Sequence, residues 1–474
     1  MIKSFLKAQI TSNFELIPTQ EQEIVIEKIS DFLLSKTADG IFMLNGFAGT
    51  GKTRLVGSLV KTLDQLKIKT ILMAPTGRAS KVFASYANHP AFTIHKKIYR
   101  QNDMNAEGGK FSLNNNLHKN TIFIVDEASM IANDEGADSH FGTGRLMDDL
   151  IQYVYSGEGC RLILVGDRAQ LPPIGEEESC ALNSDFISGY GLEVQACSLT
   201  EVVRQASDSG ILYNATQIRE RIEADDYFDL PKMKIKGFCD IMTVPGNELI
   251  ETLEQCYRAE GTDETIVVTR SNKRANIYNN GIRSQILWRE DELEAGDRIM
   301  VTKNNYYWTE KEKNKEIDFL ANGQICIVQR VSNVRGLYGF RFADVTLYIP
   351  EYNDYELQAT VLLNTLHAEA SSLTRQESEQ LFQEVMNDYA DIPHKAERLK
   401  KLKQDPYFNA LQVKYAYAIT CHKAQGGQWK NVFVDQGYLS EEYLSPSYFR
   451  WLYTALTRST GMLYLVNYPS AQTI

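Results

Sequence analysis

The chain has 474 residues, a formal net charge of −11, 43% hydrophobic residues and 23% charged residues. This composition is that of a globular protein and excludes a disordered one, while the length predicts roughly two to four domains. The acidic balance argues against a protein that coats nucleic acid by bulk attraction, and less against an enzyme that grips a strand inside a cleft.

The sequence carries no pattern typical of a membrane or secreted protein. It contains no run of about 18 apolar residues, and its first residues are too polar for a signal peptide. The seven cysteines are odd in number and form no Cys-x-x-Cys pair. We therefore expect a cytoplasmic protein with no membrane partner, no disulfide framework and no structural zinc.

Four short apolar runs in the first half predict the strands of a parallel sheet. Each run is followed within two residues by Gly, Pro or Asp, and helical stretches separate the runs. Strands that helices bury on both faces have this pattern. The four runs are 41–44, 70–73, 122–125 and 162–165.

A polar stretch, residues 97–120, lies between the second and third of these runs. It contains Gly108-Gly109 between two polar arms, which predicts a β-hairpin that protrudes from the sheet. Phe111, close to this pair, is either a wedge residue that stacks on bases or an ordinary hairpin packing residue.

A second α/β pattern begins near Thr265 and resumes from 413 to 465. The residues between read first as strands of a small β-barrel, at 325–328 and 340–349, and then as charged helices from 371 to 403. The helical part carries five basic residues that either contact nucleic acid or form a solvated helix face: Lys395, Arg398, Lys400, Lys401 and Lys403.

Residues 46–53 read GFAGTGKT and match the phosphate-binding pattern G-x-x-x-x-G-K-[ST] in full. Glycines let backbone amides turn towards a phosphate, and the following helix, predicted from Thr53 to Leu66, points its positive end at the same anion. We expect Lys52 to reach the β- and γ-phosphates of ATP and the Thr53 hydroxyl to bind Mg²⁺.

Asp126 and Glu127 directly follow the apolar run 122–125. The ends of such strands deliver side chains to the crevice where ligands bind in open α/β sheets. We expect Asp126 to hold Mg²⁺ and Glu127 to polarise the attacking water. The alternative, a solvated acidic strand end, fits less well in a chain with a complete phosphate-binding loop.

Hydrolysis of ATP needs positive charge against the γ-phosphate in the transition state. Arg204 and Arg458 are candidates for this role. On spacing alone, each arginine is by default a surface salt-bridge partner.

Further segments occur in the order in which superfamily 1 helicases carry their motifs. They span residues 19–458, nearly the whole chain, and the sequence resembles the RecD/Dda-like branch of that superfamily. Besides Walker A at 46–53 and motif II at 126–127, the matching segments are TQEQ at 19–22 (the Q motif), APTGRAS at 74–80 (motif Ia), TIH at 93–95, GDRAQLPP at 166–173 (motif III), VTRSN at 268–272, YAITCHKAQG at 417–426 (motif V) and YTALTR at 453–458 (motif VI).

The resemblance implies roles for individual residues. Gln22 would read the adenine, Gln170 would link the γ-phosphate to the DNA side, and Arg458 would reach across from the second domain. The implied catalytic residues are Lys52, Asp126, Glu127, Gln170, Arg204 and Arg458. The implied ATP-binding residues are Gln22, Gly46, Ala48, Gly49, Thr50, Gly51, Lys52 and Thr53, with Thr53 and Asp126 as Mg²⁺ ligands. The implied DNA-binding residues are Pro75, Thr76, Thr93, His95, Phe111, Asn272, His422 and Lys423.

The resemblance also implies an α/β fold of two RecA-like P-loop domains. The first domain is expected at 1–205, with a wedge hairpin inserted at 97–120. The second is expected at 206–321 and 411–474, interrupted by an SH3-like accessory domain with a helical arm at 322–410.

The implied function is an ATP-dependent helicase that moves along single-stranded DNA from 5′ to 3′ and unwinds duplexes. Its implied partners are single-stranded DNA and single-strand/duplex junctions, with single-strand-binding or replication and repair proteins as further candidates, and the implied state is a monomer. Three alternatives remain: a P-loop phosphotransferase for a small molecule, a non-catalytic clamp, and a translocase that acts on RNA or does not unwind.

Overall fold

The computed structural model describes residues 2–35, 39–101, 111–133, 141–203, 208–310, 317, 319–350, 352, 355–438 and 444–474. The helices are α1 (Ile2–Phe14), α2 (Gln20–Leu34), α3 (Lys52–Gln65), α4 (Gly77–Ala87), α5 (Ile94–Ile98), α6 (Leu146–Tyr155), α7 (Ser184–Ser188), α8 (Gly210–Glu223), α9 (Leu249–Glu260), α10 (Asn272–Gly281), α11 (Tyr307–Glu310), α12 (Asn364–His367), α13 (Arg375–Asn387), α14 (Lys395–Lys403), α15 (Cys421–Ala424) and α16 (Pro446–Leu456). Each helix in this part of the chain is too short or too polar to cross a membrane.

The strands build two parallel sheets, a closed barrel and a two-stranded ribbon. They are β1 (Gly40–Gly46), β2 (Thr70–Ala74), β3 (Ala91–Thr93), β4 (Tyr99–Gln101), β5 (Phe111–Leu113), β6 (Ile122–Val125), β7 (Arg161–Gly166), β8 (Glu193–Leu199), β9 (Ile241–Val244), β10 (Thr265–Thr269), β11 (Arg298–Val301), β12 (Ile325–Leu337), β13 (Phe340–Ile349), β14 (Tyr355–Leu362), β15 (Leu411–Tyr415), β16 (Ala418–Thr420), β17 (Trp429–Asp435) and β18 (Ser459–Val466).

The first sheet has the strand order β3-β2-β6-β7-β1-β8, and every neighbouring pair is parallel. The four predicted runs form β1, β2, β6 and β7, so these predictions are confirmed. All seven residues of β1 are buried, as expected of a central strand covered by helices on both faces. The sequence did not reveal β3, which has three residues, or β8, which alternates buried and exposed positions at the sheet edge.

The second sheet has the order β16-β10-β17-β18-β9 and is also parallel throughout. Its strand β10 contains the predicted run 266–268, but β9 lies before the predicted start of this pattern. Only two residues separate β15 from β16, so the apolar stretch from 413 onwards reads as one element in the sequence although it supplies two different sheets.

The barrel closes in the order β11-β12-β13-β14-β15. The two predicted barrel strands lie within β12 and β13. Because β11 and β15 are also barrel strands, the barrel extends beyond the stretch 322–410 at both ends, which corrects its predicted limits. Helices α13 and α14 pack against one end of the barrel through Leu381, Val385 and Leu402, while the side chains of Lys400 and Lys401 are exposed.

Strands β4 and β5 pair antiparallel and form the base of the predicted hairpin. Residues 102–110, including Gly108-Gly109, lie outside the described residues. Phe111 is 8% exposed and its ring packs against Phe141 and Tyr306, with ring centroids 4.7 and 4.6 Å apart. The structure therefore supports the packing alternative and corrects the interpretation of Phe111 as a base-stacking wedge, since a buried ring has no free face for a base.

We expect Phe111→Ala to lower the free energy of unfolding by about 3–5 kcal/mol, because it removes a large ring from a packed aromatic cluster. Denaturant titration followed by tryptophan fluorescence measures this change. Phe228→Ala is the control, since the Phe228 side chain is 89% exposed and its removal should change stability by no more than about 0.5 kcal/mol. Unchanged stability of Phe111→Ala together with a loss of strand separation would restore the wedge role.

Candidate nucleotide and nucleic-acid site

The phosphate-binding loop joins the carboxyl end of β1 to the first turn of α3. Its shape requires glycine at two positions, because Gly49 and Gly51 have φ angles of 76° and 78°. A Cβ on Gly46 would lie 3.0 Å from Cδ of Lys52, so glycine also makes room for the lysine stem. The Lys52 ammonium donates to the Gly46 carbonyl at 3.1 Å, and its side chain lines the cavity next to the loop.

Gln22 stabilises this loop through hydrogen bonds of its side chain. Its Nε2 donates to the Thr50 carbonyl at 2.9 Å, and its Oε1 accepts the Thr19 amide at 2.9 Å within the capping box that starts α2. The side chain is 2% exposed. The structure thus gives Gln22 a role in fixing the loop, and its contact with adenine stays a prediction.

Asp126 and Glu127 stand at the carboxyl end of β6, where the sequence predicts them. Tyr86 on α4 donates its hydroxyl to Asp126 Oδ2 at 2.5 Å, a partner that no sequence pattern indicates. Burial raises the pKa of Asp126 and the neighbouring Glu127 raises it further, whereas the Lys52 ammonium lowers it. Glu127 has φ = 52°, an uncommon left-handed conformation for this residue type, and its Oε2 is buried with no hydrogen-bond partner among the residues that the structure describes.

These residues line a cavity of about 470 Å³ between the two parallel sheets. Lys52, Glu127 and Gln170 line it from the first sheet, and Arg458 lines it from the second. Arg458 is 3% exposed and donates to the carbonyls of Thr454 and Gly427 at 3.0 and 3.2 Å. The other candidate arginine, Arg204, lies outside the described residues.

Gln170 belongs to the segment Asp167–Leu171, which follows β7 and contacts α16 directly. Its Oε1 is buried with no hydrogen-bond partner. The Leu171 amide donates to Oγ1 of Thr454 at 2.9 Å, and Nε2 of Gln425 donates to the Leu171 carbonyl at 2.7 Å. The Tyr453 hydroxyl donates to Asp167 Oδ2 at 2.7 Å.

Asp167 and Tyr453 are not among the site residues that the sequence predicts. A signal for Asp167 was present, because it follows a buried strand in the same way as Asp126 does. Burial raises the pKa of Asp167, and Lys52 lowers it. Tyr453 gave no separate signal within the YTALTR segment.

The donor set at the loop fits a magnesium ion. Thr53 and Asp126 offer a hydroxyl and a carboxylate, the oxygen ligands that Mg²⁺ prefers, and such sites use few protein ligands together with substrate phosphates and water. The unpartnered Glu127 Oε2 is a further acceptor beside them. The residues present therefore fit ATP with Mg²⁺.

The candidate nucleic-acid residues lie after the carboxyl ends of two neighbouring strands in each parallel sheet. Pro75 and Thr76 follow β2 and His95 follows β3, and these two strands are neighbours in the first sheet. In the second sheet, Asn272 follows β10, and His422 follows the neighbouring strand β16. The segment that carries His422 approaches the first group, since a Cβ on Gly426 would lie 3.3 Å from Thr76 Oγ1.

Several of these side chains already have structural contacts. Thr76 and Thr93 cap α4 and α5 by accepting the amides of Ala79 and Lys96, both at 3.2 Å. The His95 ring packs edge-on against Phe141 at 4.8 Å, and the Lys423 ammonium donates to Asn322 Oδ1. Burial lowers the pKa of His422, which favours its neutral form.

A complete phosphate-binding loop, an acidic strand end beside it and an arginine from a second parallel sheet define a P-loop nucleoside triphosphatase. Family comparison agrees: residues 19–227 match the AAA domain family, and residues 415–466 match the UvrD-like helicase C-terminal domain. The chain is therefore similar to superfamily 1 helicases of the RecD/Pif1-like type.

Relatives match over most of the chain at low identity. The uncharacterized protein R530 of Acanthamoeba polyphaga mimivirus is 24% identical over 94% of this chain and 98% of its own length. The ATP-dependent RecD2 DNA helicase of Deinococcus radiodurans is 22% identical over 96% of this chain, which spans 51% of that relative. The ATP-dependent DNA helicase dda of Enterobacteria phage T4 is 26% identical over 66% of this chain and 70% of its own length.

We expect Gly51→Ala to weaken ATP binding by about tenfold or more, because a new methyl group in the loop displaces donors from the phosphate. The added Cβ would lie 2.6 Å from Gln22 Nε2 at φ = 78°. Gly237→Ala is the matched control, since Gly237 has a similar φ of 92° but no atom within 4 Å of the added Cβ. Titration with a fluorescent ATP analogue gives both affinities, and equal affinities for the two variants would contradict the prediction.

Proposed function

We propose that this protein is an ATP-dependent DNA helicase that moves along single-stranded DNA from 5′ to 3′ and unwinds duplexes ahead of it. The observation that carries this proposal is the cleft between the two parallel sheets, which Lys52 and Glu127 enter from one side and Arg458 from the other. A nucleotide bound in such a cleft contacts both halves and so favours the closed arrangement. Hydrolysis removes the contacts of the γ-phosphate, and the halves can then separate.

Each residue of the cleft has a distinct task in hydrolysis. Lys52 binds the β- and γ-phosphates, and Thr53 with Asp126 would hold Mg²⁺, which neutralises phosphate charge when bound. Glu127 orients the attacking water and accepts its proton through the buried, unpartnered Oε2. Arg458 stabilises the charge that develops on the γ-phosphate, and we assign the same task to Arg204.

Gln170 would connect the nucleotide to the nucleic acid. Its side chain lines the cleft, where its Nε2 would donate to a γ-phosphate oxygen, and the same segment ends at Leu171, whose carbonyl accepts from Gln425 of motif V. A contact between Gln170 and the γ-phosphate therefore acts on a backbone segment that is bonded to the second sheet.

Single-stranded DNA would run across the carboxyl ends of both sheets. Pro75, Thr76 and His95 would contact it from the first sheet, and Asn272 and His422 from the second. Thr93 and Lys423 remain candidates, although a helix cap and Asn322 respectively already engage them. In superfamily 1 motors, the alternate grip of two such groups moves the strand by about one nucleotide for each ATP.

The finer architecture follows the same proposal. We infer a first RecA-like domain at 1–205 and a second at 206–321 and 411–474, apart from strands β11 and β15, which belong to the barrel. The barrel with its helical arm would act as an SH3-like accessory domain, and the hairpin at 97–120 would divide the strands through residues other than Phe111.

The deciding measurement is steady-state ATP hydrolysis with and without single-stranded DNA, with Lys52→Ala as the blank. We expect stimulation of roughly tenfold or more, because DNA orders the cleft in which transition-state charge is stabilised. Strand displacement on duplexes with a 5′ or a 3′ tail then gives the direction. A rate that neither DNA nor RNA changes, with phosphate transferred to a small acceptor, would identify a phosphotransferase instead.

Glu127→Gln should reduce kcat for ATP by about a hundredfold or more, since the amide cannot accept a proton. The affinity for ATP should stay within about threefold of wild type, because Gln keeps the size of the side chain and its hydrogen-bonding oxygen. Single-turnover hydrolysis and nucleotide titration separate the two effects. A parallel loss of binding and turnover would assign Glu127 to nucleotide binding instead.

A further inference from the structure

One side chain of the second half reaches the backbone of the phosphate-binding loop. The Tyr453 hydroxyl accepts the Ala48 amide at 2.9 Å and donates to Asp167 Oδ2 at 2.7 Å. The Ala169 amide donates to the other carboxylate oxygen of Asp167 at 2.9 Å. Helix α16, the phosphate-binding loop and the end of β7 are therefore joined at a single oxygen atom.

This junction is buried and its donors and acceptors are defined. Tyr453 is 1% exposed and Asp167 is 2% exposed. Burial and the Asp167 carboxylate hold the pKa of Tyr453 well above its ordinary value, so the hydroxyl keeps its proton and remains a donor to Asp167. Buried polar groups in a water-excluded site lose more when one partner is removed than exposed groups do.

The junction also fixes where Arg458 can lie. Arg458 lies two residues after the end of α16 and donates through Nε to the Thr454 carbonyl at 3.0 Å. Tyr453 is the neighbour of Thr454 on that helix, so a shift of α16 moves the tyrosine hydroxyl and the guanidinium together. Ala48 and Arg458 line the same cavity.

We propose that Tyr453 is a positioning residue for ATP hydrolysis, whose hydroxyl holds Arg458 at a set distance from the phosphate-binding loop by bonding Ala48 and Asp167. This inference rests on the proposed function of the cleft. It adds a residue that sets the distance between Arg458 and the phosphate-binding loop. Misplacement of a charge-stabilising group by about 1 Å costs up to roughly a hundredfold in rate, whereas nucleotide binding depends mainly on the loop and Lys52.

The test compares Tyr453→Phe with Tyr448→Phe. Both tyrosines lie on α16 and are buried, but the Tyr448 hydroxyl donates to Gln436 Oε1 at 2.9 Å, within the second half. The two variants therefore lose the same group from the same helix, and only Tyr453→Phe breaks the link to the loop. Hydrolysis rates with and without single-stranded DNA, nucleotide affinity and the thermal midpoint are measured for each.

We expect kcat of Tyr453→Phe to fall by roughly tenfold to a hundredfold while the affinity for ATP stays within about threefold. Tyr448→Phe should keep kcat within about twofold. If Tyr453→Phe does not fold, Asp167→Asn weakens the same link by replacing a charged acceptor with a neutral one, and the same fall in kcat is expected.

The proposal is overturned if Tyr453→Phe, or Asp167→Asn in its place, keeps the wild-type kcat, or if Tyr453→Phe and Tyr448→Phe lose activity equally. Failure of the proposed function has a different signature, because wild type would then show no response to DNA. The basal hydrolysis rate still reports on Tyr453 in that case.

Discussion

Hydrogen bonds join the segment Asp167–Leu171, at the end of a strand of the first parallel sheet, to the second half of the chain. Tyr453, Thr454 and Gln425 all bond to this short segment. The cavity that Lys52 and Arg458 line exists because these contacts set the separation of the sheets. Since a hydrogen bond requires a donor–acceptor distance near 3 Å and a nearly straight angle, these contacts stabilise the arrangement of the two halves that the structure shows.

Charged side chains are buried in the cleft between the two halves, so a charged ligand that binds there affects how stable their arrangement is. Burial raises the pKa of both Asp126 and Asp167, and the Lys52 ammonium opposes this effect at each carboxyl group. Arg458 is 3% exposed, and its bonds to Thr454, Thr457 and Gly427 are to neutral oxygens. Among the described residues no carboxylate forms an ion pair with this buried guanidinium, so its desolvation is not offset by a counter-charge there, and a triphosphate in the cleft would supply one.

How far the sequence predicts this structure depends on the range of the interactions. The strand runs and the phosphate-binding loop were predictable, because strand burial on both faces and the need for glycine at 49 and 51 are written in consecutive residues. The burial of Phe111 was not, because its partners Phe141 and Tyr306 are distant in the chain. The same holds for Tyr86 beside Asp126 and for Tyr453 beside Asp167, two bonds that form only after the halves fold. The barrel limits were misplaced for a different reason, namely that strands of different sheets follow each other within two residues.

The two halves touch again at the aromatic cluster, and the contacts there differ in kind from those at Asp167–Leu171. Phe111 and Phe141 from the first half pack against Tyr306 and Phe319, which lie between barrel strands β11 and β12. Aromatic ring pairs occur over centroid distances of roughly 4.5–7 Å, whereas the hydrogen bonds beside the cleft are lost when donor and acceptor separate. The ring pairs therefore tolerate a larger displacement of the two halves than the hydrogen bonds do. Because Phe111 begins strand β5 at the hairpin base, the cluster joins the hairpin to the barrel region through Tyr306.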